Sequence, residues 1–132
     1  MTDRSRGRSR GIALLTGLLL LSGCGRGRIK EVPPELLGVW RTDAPGYQDR
    51  FMEIRPREII FGTGPGSADI HTINGLRRRA APGHIDFTIF YDNVEGQEYE
   101  FSIIFEYSEG GQITLTNQRN MVWRRRPVSP RR

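Results

Sequence analysis

Two runs of strict alternation between apolar and polar positions dominate the chain. Over residues 84–91, Ile85, Phe87, Ile89 and Tyr91 fall on one face while His84, Asp86 and Thr88 fall on the other, and only Phe90 breaks the pattern. The run that follows is longer. Tyr99, Phe101, Ile103, Phe105 and Tyr107 face one way, against Glu98, Glu100, Ser102, Ile104, Glu106 and Ser108. A period of two residues is that of a strand with one wet and one dry face, and Asn93-Val94-Glu95-Gly96 between the runs has the residues of a tight turn.

Weaker versions of the same grammar cover the rest. Strands are expected over residues 39–42, 50–54, 58–61, 69–77, 112–116 and 121–125, separated by Asp43-Ala44-Pro45-Gly46, Arg55-Pro56-Arg57, a flexible Gly62–Ser67 loop, Ala80-Ala81-Pro82-Gly83, Glu109-Gly110-Gly111 and Asn117–Asn120. A single helical turn is expected at Pro33–Leu37, because proline is tolerated where its missing N–H would have no partner. No longer helical period occurs between Pro33 and Arg126. About eight short strands joined by short loops predict an all-β antiparallel meander. A small closed or partly closed barrel is the simplest way to leave no free edge, and a β-sandwich is the alternative.

The N-terminus has a different character. Arg4, Arg6, Arg8 and Arg10 precede an apolar run, Ile12–Leu21, which ends in Leu20-Leu21-Ser22-Gly23-Cys24. A basic stretch, a short apolar stretch and small residues form a secretory signal. Fifteen residues separate Arg10 from Arg26, too few for a spanning helix, which needs about 20. The last five residues of the run resemble the lipobox of bacterial lipoproteins. That resemblance implies cleavage before Cys24, a diacylglycerol on its sulfur and an acylated (palmitate-type) amine. The expected organisation is a signal peptide over 1–23, the lipidated Cys24 and a flexible tether over 24–32, a β domain over 33–126 and a disordered basic tail over 127–132. Gly25 after the cysteine, where enteric inner-membrane lipoproteins carry aspartate, points to the periplasmic face of the outer membrane.

Charge is reinterpreted once the signal is set aside. The whole chain carries +5, but the sixteen basic and fourteen acidic side chains after residue 23 leave only +2. A nucleic-acid partner is therefore not expected. The remaining basic residues are almost all arginine, clustered at Arg77-Arg78-Arg79, Arg124-Arg125-Arg126 and Arg131-Arg132. On a membrane-tethered protein, the first two runs are candidates for contact with an anionic surface. Cys24 is the only cysteine, so no disulfide forms within the chain.

Leu37-Gly38-Val39-Trp40 is similar to the Gly-x-Trp signature of lipocalin-like (calycin) barrels. The resemblance implies a tryptophan closing the barrel floor under a basic residue from the last strand, here Arg124 or Arg125, beside Trp123. The candidate core or ligand-facing stripe is Trp40, Phe87, Ile89, Phe101, Ile103 and Phe105.

Catalytic chemistry finds little support. The Gly62–Ser67 loop leads into a strand, whereas a phosphate-cradling loop leads into a helix. The histidines, His71 and His84, each lie two residues from an acid, Asp69 and Asp86. Those pairs share a face, but a zinc site wants three or four ligands, and a polar outer face is the expectation for both. Asp86, Glu98, Glu100 and Glu106 alternate away from the aromatic stripe and read as solvated, and no serine has a nucleophile-elbow setting. The expectation is a non-enzymatic binding or accessory module of the cell envelope with no cofactor and no metal. It is anchored to the membrane by lipid and meets another envelope protein. The alternative is a lipocalin-like carrier of a small apolar ligand or lipid.

Overall fold

A computed structural model of the chain describes residues 27–126. The expected signal peptide over 1–23, the expected lipid-attachment position Cys24 and the expected tail over 127–132 lie outside the described residues. Eight strands follow one another, β1 (Gly38–Thr42), β2 (Phe51–Ile54), β3 (Glu58–Gly64), β4 (Ser67–Ala81), β5 (His84–Asp92), β6 (Glu98–Glu106), β7 (Gln112–Leu115) and β8 (Gln118–Arg125). Each pairs antiparallel with its neighbour in sequence, and β8 returns to β1 through Trp40–Arg125, Arg41–Arg124 and Thr42–Trp123. The result is a closed up-and-down barrel; the sandwich alternative is excluded.

The alternating runs form the central hairpin in the register their pattern implies. Ile85, Phe87, Ile89 and Tyr91 on β5 stand opposite Phe105, Ile103, Phe101 and Tyr99 on β6. Their side chains point inward, where Phe87, Ile89, Ile103 and Phe105 join Trp40, Met52, Ile54, Ile59, Leu76 and Ile113 in one buried cluster. An eight-stranded barrel has an interior about wide enough for side chains to fill, and here these residues occupy it. The 3₁₀ turn Pro34–Leu36 forms where expected and drives Leu36 into one end of the barrel.

β4 departs most from expectation. It runs fifteen residues from Ser67 to Ala81, taking in Ala80 and Ala81, while β3 extends through Gly64, so that the expected loop at Gly62–Ser67 shrinks to a hairpin tip at Pro65-Gly66. Its two halves serve different partners, and a register shift falls between Ile73 and Gly75, just past the changeover. Before it, β4 pairs with β3 as far as Thr72, and after it with β5 alone. β8 likewise begins at Gln118, inside the expected loop, with a register shift against β7.

The edge that β4 leaves bare is covered by the N-terminal segment. Ile29 and Leu76 exchange both backbone hydrogen bonds, at 2.8 and 2.9 Å. Val32 is buried in the core cluster. The described part of the stretch read as a flexible tether is thus strapped along the barrel wall.

Candidate functional site

Three places concentrate functional groups: the floor, the mouth and one stretch of outer wall. At the floor, Trp40 is fully buried and donates its indole N–H to the carbonyl of Leu36 at 3.0 Å. The ring of Phe105 meets it edge-on at 6.3 Å. The Arg125 guanidinium lies 4.9 Å from the Trp40 ring and donates to the carbonyl of Glu35. Gly38 lies beneath the Arg125 stem. Its φ of +132° is one L side chains avoid, and a Cβ there would stand 3.4 Å from Arg125 Cγ and Cδ. The floor is therefore sealed by Leu36, Trp40 and Arg125. Of the two arginines expected to cover the tryptophan, it is Arg125 that does so.

The opposite end carries half-buried aromatic rings. Phe61, His71, Tyr91 and Phe101 cluster at centroid distances of 5.0–5.8 Å. His71 pairs with Ile59 in register and so points inward; this corrects the expectation of an outer-face histidine. Its Nδ1 lies 3.0 Å from the carbonyl of Asp92. Burial, with Tyr99 stacked alongside, pushes the Tyr91 phenol above its ordinary pKa. Among the described residues, no group of three His, Cys, Asp or Glu side chains forms a metal site.

The outer wall holds the charged constellation. Alternation on β4, β5 and β6 turns Arg77, Arg79, Asp86, Thr88, Ser102 and Ile104 outward, opposite the buried stripe. With Gly27 and Ile29 of the strap and Thr116 and Arg119 of the β7–β8 hairpin, they line a groove of about 810 Å³ that Arg78 also borders. Three arginines, Arg77, Arg79 and Arg119, meet one carboxylate there, Asp86, which is held by Arg79 at 2.5 Å and lies 3.3 Å from His84 Nε2, while Arg78, opposite Phe87 in register, turns to the other face of the sheet. The other arginine run lies elsewhere and has intramolecular partners: Arg124 is 3.7 Å from Glu109, Arg126 is 3.2 Å from Asp43, and Arg125 covers Trp40.

Phe90, the one break in the β5 alternation, is explained at this wall. It points outward opposite Gly75, yet is buried, because the guanidinium of Arg28 lies 3.7 Å and that of Arg77 4.8 Å from its ring centroid. Arg28 also grips Glu98 with two hydrogen bonds of 2.8 and 2.7 Å. That contact, reinforced by Asn74, holds the Glu98 carboxyl below its ordinary pKa. The strap residues and Arg119 escaped the sequence reading. Arg28 and Ile29 sit in a glycine- and arginine-rich stretch that looks like linker, and only the lone apolar positions Ile29 and Val32 hinted at packing.

Comparison with known proteins gives no relative to argue from: no protein-family model, curated protein or solved structure matches the chain.

Proposed function

We propose that this protein is a lipid-anchored envelope lipoprotein whose β-barrel is a non-enzymatic binding or accessory module, attached through Cys24. The observation that carries the reading is the junction between the Leu20–Cys24 motif and the barrel. Only Gly25, Arg26 and Gly27 separate Cys24 from Arg28, whose side chain is clamped by Phe90 and Glu98. A chain built this way holds its barrel against the bilayer, on the periplasmic face of the outer membrane if Gly25 has the sorting meaning it has in enteric bacteria. Two acyl attachments suffice for stable anchoring where one would be marginal.

Packing supports a binding module over a carrier. The stripe Phe87, Ile89, Ile103 and Phe105 belongs to the same buried cluster as Trp40, so a small apolar ligand would have to displace the side chains that hold the barrel together. The resemblance to lipocalin-like barrels then concerns the construction of the floor. Metabolic labelling with a radioactive fatty acid tests the anchor. The parent chain is expected to take up label and shift to the processed size, and Cys24→Ser to remain an unlabelled precursor. Normal processing of Cys24→Ser would remove the lipoprotein reading.

A further inference from the structure

We infer that the outer-wall groove bordered by Arg77, Arg78, Arg79 and Arg119 is a binding site for the phosphate-bearing headgroup of an anionic lipid in the membrane to which the chain is anchored. This rests on the lipid-anchor reading for its geometry. Gly27 lies on the groove wall and is three residues from Cys24, a separation that an extended chain spans in at most about 11 Å. Because Ile29 is hydrogen-bonded to Leu76 and Arg28 is held by Glu98, the anchor cannot swing to another side of the barrel without undoing the strap. The wall nearest the lipid is therefore the one with the arginines.

The groove has the chemistry for such a headgroup. Guanidinium groups present paired N–H donors that match phosphate oxygens. Arg119 is exposed, and Arg77 rests on the Phe90 ring with no carboxylate in salt-bridge contact among the described residues. Between them lie the hydroxyls of Thr88 and Ser102, 3.4 Å apart, and that of Thr116, which donates to the Ser102 carbonyl at 3.2 Å. Ile104, Ala80 and the partly exposed Ile29 give the same groove an apolar margin. A bare phosphate ion would use the arginines and leave that margin wet, while a glycerophospholipid headgroup with its glycerol and ester carbons would cover both.

Amide NMR on the chain purified from membranes in a neutral detergent tests the site. Three probes are titrated at constant ionic strength: dihexanoyl phosphatidylglycerol, zwitterionic dihexanoyl phosphatidylcholine and inorganic phosphate. Phosphatidylglycerol is expected to shift the amides of Arg77, Thr88, Ser102 and Arg119, with inorganic phosphate at least tenfold weaker and phosphatidylcholine silent. Arg77→Gln and Arg119→Gln should each weaken binding about fivefold, and the pair about 25-fold. Arg124→Gln with Arg126→Gln should change nothing at the groove. The spectra themselves report that each variant is folded. Inorganic phosphate binding as tightly as the lipid would overturn the membrane source, and shifts that ignore Arg77→Gln and Arg119→Gln would overturn the site. The intact mass of the same sample separates the two readings. An acylated chain with a silent groove defeats this inference alone, and an unacylated chain with a responsive groove defeats the anchor alone.

Discussion

At the scale of single residues, the barrel is closed by Arg125 as much as by any apolar side chain. Its guanidinium lies over the Trp40 ring, its hydrogen bond to Glu35 ties β8 to the 3₁₀ turn, and its aliphatic stem fills the space above Gly38. A cation over an indole face contributes about 0.5–1 kcal/mol at an exposed site, and the lost stem packing adds to that. Arg125→Gln is therefore expected to destabilise the barrel by about 1 kcal/mol, lowering the thermal midpoint by roughly 4–8 °C for a domain of this size. Arg125→Lys should lose less, since it keeps a charge and a stem but not the planar fork. Thermal melts followed by circular dichroism check both, and equal loss in the two variants would mean that the charge and stem a lysine keeps contribute nothing and that the planar guanidinium carries the whole effect.

At the scale of elements, the strap over residues 27–32 behaves as a ninth, broken strand held by one ion pair and one ring. The Glu98 carboxyl has its pKa lowered below the ordinary value of 4.5, first by its hydrogen bond to Arg28. A group whose pKa is depressed in the docked state favours docking above its free value and loses that contribution as pH falls through the docked value. The strap is accordingly expected to hold at neutral pH and to loosen as the pH falls below the ordinary carboxylate value. Protection factors for the Ile29 and Leu76 amides should fall there, while those of Ile89 and Ile103 persist. Glu98→Gln should show the loosened strap already at neutral pH, and unchanged protection in that variant would mean that the ion pair does not hold the strap. This element was invisible in sequence for a physical reason: Arg28 finds its acid 70 positions away, and no local period encodes such a contact. The central hairpin was legible because its period of two is local. Its pattern marked which residues share a face on β5 and β6, where one face was plainly apolar. At Asp69–Thr72 both faces are mixed, so the pattern could not decide that His71 turns inward and Ile70 outward. Arg119 joins Arg77 only because the barrel wall brings β4 and the β7–β8 hairpin to one groove.

At the scale of the whole molecule, closure removes most of the free edges that make small sheets self-associate, but β4 pairs on one side only in each of its halves. Beyond Ile73, whose N–H still donates to the Arg57 carbonyl, that strand pairs with β5 alone, and its other edge depends on Ile29. Gly75 sets how closely the strap can approach. A Cβ at that position would stand 3.0 Å from Arg28 Cβ and 3.1 Å from the Ile29 carbonyl oxygen, and its φ of +140° belongs to a region costly for any other residue. Gly75→Ala therefore combines about 1–3 kcal/mol of backbone strain with expulsion of the strap, baring both the β4 edge and Phe90. The expected outcome is a still-closed barrel that self-associates, seen as a concentration-dependent rise in sedimentation mass relative to the parent chain in the same detergent. Arg28→Ala, which uncovers Phe90 without straining β4, should show a weaker form of the same behaviour. If Gly75→Ala associates while Arg28→Ala does not, the bare backbone edge drives association; if both associate equally, the uncovered ring does. If both sediment like the parent, the strap does not guard the β4 edge.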